Sequence, residues 1–254
     1  MVKQTDSLVS VKAIQPDPNQ PRKFISPDHI DGLAKSLRST GLINPIEVDK
    51  NNVIVTGEAR WRAAKQLGWK KIATRACDPE TAPKRFLRQV QENLHQGGIR
   101  DSIGMQPIEA AGAFAKLLED EEAGLLGPPI PAEECECCKS FGNGVAETGR
   151  PEGGIRALHR RIGRPHQYIS QRLGLLHLPE IVQESLSDGR LSFTAGRAIG
   201  RAPTEWKLPI FERVQVEQQP GHLVQGDVVS VVAGVIGKVQ DKRTQNQLLD
   251  IIVA

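Results

Sequence analysis

The sequence predicts an α+β protein, with a small mixed α/β domain first and an all-α domain carrying a helix-turn-helix second. Three observations lead there. Short β-branched runs at 45–48, 53–56 and 72–76 alternate with helix-period stripes before residue 100. An acidic stretch, rich in Gly and Pro, breaks the periodicity from Glu119 to Gly154. After Ile155 only short apolar stripes at helical spacing follow, punctuated by glycines and prolines. The expected division is a mixed domain over 1–100, a connecting helix over 101–120, an insertion or linker over 121–154, and a helical domain over 155–254.

Taken in order, Ile14 to Pro21 reads IQPDPNQP, and its three prolines exclude a regular helix. Ser26-Pro27 reads as an N-cap with proline in the first turn. Ile30, Leu33 and Leu37 then recur at helical spacing until Gly41 stops the helix. The runs 45–48 and 53–56 flank the turn-prone Asp49-Lys50-Asn51-Asn52 and predict a hairpin. Gly57 follows directly, Ala63, Ala64 and Leu67 mark a helix ended by Gly68, and Ile72–Ala76 reads as a third strand. Phe86, Leu87, Val90 and Leu94 stripe another helix, and Pro107 opens one carrying Ile108, Ala111, Phe114, Ala115 and Leu118.

Beyond the linker, Ile155, Leu158 and Ile162 give a short helix, and Gly163 sits at a turn. Tyr168, Ile169, Leu173 and Leu176 give a second. Pro179 to Leu186 reads as a third, ended by Asp188-Gly189, and Ser192 caps a fourth through Ile199. Val228, Val231, Val232, Val235, Ile236 and Val239 recur with helical period, although their β-branching keeps a strand open.

Composition narrows the function classes. The 254 residues are 39% hydrophobic and 25% charged, as in ordinary globular chains. No apolar run is long enough for a membrane span, and the N-terminal residues lack a signal-peptide core, so a cytoplasmic protein is expected. Aromatics at 4% argue against a platform that stacks many splayed bases. The net charge of +3 conceals segregation. From Ile155 to Arg201 eight arginines face three acids, whereas from Glu121 to Gly154 seven acids face one lysine and one arginine.

Five constellations could carry chemistry. Thr56 to Ala63 places a strand end, a glycine turn and a helix start in succession. The free N–H groups of that helix start, with Arg60 and Arg62, suit a phosphate, and Glu58 could accept from a hydroxyl. The same residues also fit a plain strand–helix corner with surface arginines. Gln20-Pro21-Arg22 offers a stiffened loop with a guanidinium. Glu92-Asn93 offers a carboxylate and an amide oxygen, which can join a Mg²⁺ shell with substrate phosphates. The helices flanking Gly163 fit a helix-turn-helix, whose second helix carries Arg164, His166, Gln167, Ser170, Gln171 and Arg172 at its start and along its length. These side chains can reach phosphates or base edges in the major groove. Cys135, Cys137 and Cys138 lack the usual zinc-ligand spacing, so free thiols are favoured over a zinc site.

Together and in this order the segments resemble the ParB/KorB family of plasmid and chromosome partition proteins. The resemblance runs through NQPRKFI (19–25), GLINPIEV (41–48), VTGEARWRAAKQLG (55–68), QENLHQ (91–96) and MQPIEAAGAFAKLLED (105–120). It resumes at RIGRPHQYISQRLGLLHLPEIVQESLSDGRLSFTAGRAI (161–199). It implies a ParB/sulfiredoxin-like N-terminal domain that binds CTP with Mg²⁺, and a helical domain that binds a palindromic site on double-stranded DNA. Nucleotide contacts then fall to Gln20, Arg22, Thr56, Gly57, Glu58, Arg60, Arg62, Ala63 and Asn93. Glu92 and Asn93 are the implied metal pair, and Glu92, Gln20 and Arg22 the implied hydrolytic residues. The resemblance further implies a homodimer that CTP closes into a DNA clamp, CTP hydrolysis that reopens it, a ParA-type ATPase partner, no membrane, and a place on the nucleoid or a plasmid.

The sequence departs from the family at definite points. The usual GERR reads GEAR, with Ala59 in place of an arginine, and ENLQR reads ENLHQ. The acidic, cysteine-containing insertion is also unusual, and the family's C-terminal dimerisation domain is not recognisable. The alternatives are therefore a KorB-like repressor that has lost the nucleotide cycle and, further off, a ParB-like nuclease.

Overall fold

The computed structural model describes residues 6–78, 81–96, 104–131, 134, 154–217, 223–236, 243 and 246. The cysteines at 135, 137 and 138 and the valine at 239 lie outside these residues. The chain forms two compact units. One comprises Met1–Met105 and Leu117–Gly163, the other Gln106–Lys116 and Arg164–Ala254.

The first unit is built on a four-stranded sheet of β1 (Asp6–Ser10), β2 (Ile46–Val48), β3 (Ile54–Thr56) and β4 (Lys71–Ala76), in the order β1-β4-β2-β3. The outer pairs are antiparallel and β2 runs parallel to β4. A parallel pair needs a crossover, and here β3 and α2 (Glu58–Gln66) supply it. β1 is an edge strand whose side chains are largely exposed, so it carries no apolar alternation and the sequence gives no sign of it. The hairpin β2–β3 and the strand at 72–76 appear as expected.

Local chemistry sets the helix ends. Ser26 Oγ accepts from the His29 N–H at 3.3 Å to start α1 (Pro27–Thr40). At its other end Gly41, at φ +73°, donates its N–H to the Leu37 carbonyl. Ala34 and Leu37 of α1 meet Trp61, Ala63 and Ala64 of α2 and the sheet residues Ile46, Val48, Ile54 and Ile72 in one core. The Trp61 indole donates to the Val11 carbonyl at 3.1 Å, which satisfies its polar edge inside that core. α3 (Ala82–Gln96) buries Phe86, Val90 and Leu94, as its stripe predicts.

α4 (Pro107–Glu122) runs past the point where the linker was expected to begin. Its end is fixed by Glu121, whose carboxylate takes two hydrogen bonds from Arg161, at 2.5 and 3.3 Å. Arg161 belongs to α5 (Ile155–Ile162) and also donates to the carbonyls of Leu126, Gly127 and Pro128. A buried guanidinium must find acceptors, and these five contacts draw α5 and residues 126–128 into the first unit. The observed division therefore differs from boundaries at 100, 120 and 154: α5 groups with the mixed domain, and α4 contributes to both units.

The second unit holds α6 (His166–Leu173), α7 (Glu180–Ser187), α8 (Phe193–Arg201), α9 (Thr204–Glu217) and α10 (Gln225–Ile236). A 3₁₀ turn at Gly174–His177 links α6 to α7. Leu175, Val182, Leu186, Ile199, Phe211, Val214, Val228 and Val232 lie in its core. Ser192 caps α8 by accepting from the Ala195 N–H at 3.1 Å. The valine-rich segment is helical: tertiary burial of Val228, Val231 and Val232 outweighs their β preference. The helix α9 contains Pro209 and has no clean apolar stripe, and sequence reasoning does not find it.

Candidate functional site

The first unit contains a cavity of about 250 Å³ lined by residues from four segments of the chain. Gln20, Arg22 and Ile25 come from the proline-stiffened loop, His29 and Leu33 from α1, and Gly57, Glu58, Ala59 and Arg60 from the β3–α2 turn. Glu92 and Asn93 come from α3. Residues up to 73 positions apart in sequence therefore converge on one space.

Gly57 is the hinge of the site. Its φ of +94° lies in the left-handed region, and a Cβ there would come within 2.8 Å of Ile46 Cγ2 and 2.9 Å of Arg60 Nη2. No side chain caps α2, and its first residues line the cavity, so the positive end of the helix lies at the site. Arg60 donates through Nη1 to the carbonyls of Asn44 (2.7 Å) and Pro45 (3.0 Å), and through Nη2 to Glu92 Oε1 at 3.5 Å. Burial pushes the Glu92 carboxyl above its ordinary range, and the Arg60 cation and a hydrogen bond from the Gly57 backbone only partly oppose this.

The proline-rich loop adds a second guanidinium to the lining. Gln20 and Arg22 are buried, Gln20 donates to the Val55 carbonyl at 3.5 Å, and Arg22 Nε donates to the Phe24 carbonyl at 3.0 Å. Desolvation, followed by the nearby Arg22 charge, holds the His29 imidazole below its usual pKa. Asn93 is buried and donates to the Gln89 carbonyl at 2.8 Å.

Six of the nine expected nucleotide residues thus share this cavity, Gln20, Arg22, Gly57, Glu58, Arg60 and Asn93, together with Glu92, the residue expected for metal binding and hydrolysis. Three others lie elsewhere. Thr56 donates to Glu47 Oε2 at 3.3 Å, and Arg62 is paired with Glu58 one helical turn back, at 2.6 and 2.9 Å. Ala63 is fully buried in the core. Sequence reasoning missed Ile25, His29 and Leu33, and assigned Leu33 to the helix core. Their one available signal was that α1 starts directly after the Gln20-Pro21-Arg22 loop.

Glu92 and Asn93 supply two oxygen-bearing groups side by side. Two protein donors suit Mg²⁺ only when water and ligand phosphates complete its octahedron, as is usual for that ion. Among the described residues no cluster of three or more His, Cys, Asp or Glu could hold a metal alone.

In the second unit, His166 and Gln167 are exposed at the start of α6, and Ser170 and Gln171 are half-buried farther along it. Arg172 is placed differently from expectation. It is only 4% exposed, with its guanidinium carbon 3.4 Å from the Tyr168 ring centroid and 4.7 Å from that of Phe193. It packs α6 against the start of α8 instead of facing outward. The Arg164 guanidinium carbon lies 5.6 Å from the Tyr168 ring centroid, and Arg164 is half-buried.

Residues 2–94 match the ParB N-terminal domain family. The chain belongs to the ParB family. It is 30% identical over 198 residues to the nucleoid occlusion protein of Geobacillus kaustophilus (strain HTA426), covering 75% of this chain and 56% of that one. It is 28% identical over 199 residues to the nucleoid occlusion protein of Bacillus subtilis (strain 168), with the same coverages. The chain therefore spans little more than half the length of these relatives. Its fold resembles that of the C-terminally truncated chromosome-partitioning protein ParB from Caulobacter crescentus, solved in complex with the centromeric parS site. The TM-score is 0.50 and the identity 20%, covering 84% of this chain and 94% of that one. No helix among the described residues is long and apolar enough to cross a membrane.

Proposed function

We propose that this ParB-family chain is a sequence-specific DNA-binding protein of the partition or nucleoid-occlusion type, whose DNA-bound state is controlled by CTP. The observation that carries the reading is the convergence of Gln20, Arg22, Gly57, Glu58, Arg60, Glu92 and Asn93 on one cavity. Such a cavity presents the positive end of α2 and two guanidinium groups to a triphosphate, and both attract phosphate oxygens. Glu92 and Asn93 would hold Mg²⁺ against those oxygens, and the ion would neutralise phosphate charge there. Gln20 and Arg22 would orient the terminal phosphate from the proline-rich loop. His166, Gln167, Ser170 and Gln171 on α6 would read a palindromic site in the major groove, a homodimer supplying the second half-site. Differential affinity of CTP for two dimer states would then bias the clamp, and hydrolysis would reset it.

Isothermal titration of CTP, ATP, GTP and UTP with and without Mg²⁺ tests the nucleotide half. CTP-selective binding strengthened by Mg²⁺ supports the reading, and equal weak binding of all four overturns it. The repressor reading has one observation in its favour. The Arg60 guanidinium is already engaged by Asn44, Pro45 and Glu92, and Ala59 stands where the family carries a further arginine. It predicts operator binding indifferent to CTP.

A further inference from the structure

The two walls of the cavity need a fixed separation, and a buried polar cluster behind the cavity joins them. Asp17 lies in the proline-rich loop three residues before Gln20, and its side chain is 5% exposed. Its Oδ2 accepts from Gln89 Nε2 at 2.9 Å and from Arg85 Nη1 at 3.3 Å, both on α3. Its Oδ1 accepts from the Asn19 N–H at 2.9 Å, and its carbonyl accepts from the Gln20 N–H at 3.2 Å. Asp17 thus holds the turn that delivers Gln20 and Arg22.

On the α3 side, the Gln89 carbonyl accepts from Asn93 Nδ2 at 2.8 Å, and Glu92 directly precedes Asn93. Arg85 also hydrogen-bonds Asp49, which organises the β2–β3 turn by accepting from the N–H groups of Asn51 and Val53. One guanidinium therefore serves two carboxylates, but only Asp17 is tied to the loop of the cavity.

We propose that Asp17, through Gln89 and Arg85, is a positioning residue that sets the Gln20–Arg22 loop against Glu92 and Asn93 for nucleotide binding. The inference rests on the CTP reading for its ligand and on the hydrogen-bond geometry for its mechanism. A buried carboxylate with three directed donors fixes a loop that three prolines stiffen but cannot orient. It does not line the cavity, so its effect passes through the geometry of Gln20 and Arg22.

The test compares Asp17→Asn with Asp49→Asn in the full chain. Both remove a carboxylate from Arg85, and both should lower thermal stability. Titrated with Mg²⁺-CTP below the melting range, Asp17→Asn should lose at least about tenfold in affinity while Asp49→Asn stays within about threefold of the wild type. The double variant Asp17→Asn/Gln89→Glu restores a carboxylate–amide pair with the roles exchanged and should recover most of the loss. Equal weakening by the two single variants, or no recovery in the double, would overturn the proposal. Hydrogen exchange in the ligand-free protein separates this from the parent reading. Peptides spanning 19–25 should exchange faster in Asp17→Asn than in Asp49→Asn even if the wild type binds no CTP, and equal exchange in both would also overturn it.

Discussion

Arg60 Nη2 lies 3.5 Å from Glu92 Oε1, and Gly57 sits close enough to both to touch each of them. The pair bridges the start of α2 and the C-terminal third of α3, so the residues expected to grip phosphate and metal are already coupled. The glycine makes this approach possible. Gly57→Ala adds a methyl at 2.8 Å from Ile46 Cγ2 and 2.9 Å from Arg60 Nη2, on a backbone at φ +94°. A strain of this kind costs about 1–3 kcal/mol. Urea denaturation should show a loss of that order together with weaker CTP binding. A variant as stable as the wild type would contradict the geometry.

Arg60 does two jobs with one planar fork. Lysine retains the charge but cannot serve the Asn44 and Pro45 carbonyls and a phosphate together. Arg60→Lys and Arg60→Ala should therefore both weaken CTP binding, by about tenfold or more on the scale of ~1.4 kcal/mol per decade. Binding of the DNA site without nucleotide should stay near the wild-type level. Calorimetry and fluorescence anisotropy on the same preparations decide the point, and a lysine variant with unchanged CTP affinity would reduce Arg60 to a structural brace.

The Asp49 carboxyl shows how a turn can depend on pH. Burial pushes its pKa up, but hydrogen bonds from the Val53 N–H, Arg85 and the Asn51 N–H outweigh burial and hold it below its ordinary value of 3.8. A depressed carboxylate contributes stability that is complete above its unfolded pKa and is lost as pH falls through the folded one. Asp49→Asn should thus be less stable than the wild type at neutral pH. The gap should narrow as pH falls below 3.8, read by chemical denaturation at a series of pH values. A gap that stays constant with pH would assign the loss to packing instead of charge.

The buried pair of Glu121 and Arg161 makes a stronger demand. Arg161 is 7% and Glu121 8% exposed at the side chain, and Arg161 also serves three carbonyls. Removing one partner of such a pair costs about 3–5 kcal/mol, because the other charge stays buried. Arg161→Ala should lose stability on this scale in a denaturant titration, and residues 126–128 should become protease-sensitive. A loss below about 1 kcal/mol would mean the charge is solvated and the pair is a surface contact.

These pairs show why only part of the molecule is legible in sequence. Strands β2 to β4, the helix ends at Ser26 and Gly41, and the Gly57 turn depend on neighbours within a few residues, and local pattern reveals them. The edge strand β1 has an exposed face pattern and α9 contains Pro209, so neither carries a periodic signature. The motif residues in the cavity were legible one by one, and their convergence followed only from the family resemblance, not from their spacing. The partners of Asp17 lie 68 and 72 residues away, and no spacing rule links them. The arginine excess after Ile155 was legible as charge, yet Arg161 and Arg172 are consumed inside the protein.

Arg172 makes that last distinction measurable. A phosphate-contacting arginine releases counterions on binding, so its loss lowers the slope of log affinity against log salt by about one unit. A buried arginine stacked between Tyr168 and Phe193 does not contact phosphate, and its loss acts through the folding of α6. Arg172→Ala should therefore reduce stability by about 1–3 kcal/mol through lost packing and stacking. It should leave the salt slope of DNA binding unchanged under conditions where the variant is folded. Gln171→Ala should do the opposite for specificity: near wild-type stability, with discrimination between the true site and a mismatched site reduced by about 1–3 kcal/mol. If Arg172→Ala instead lowers the salt slope and leaves the melting temperature in place, the guanidinium turns outward to the DNA, and the stack with Tyr168 and Phe193 is a resting arrangement that binding breaks.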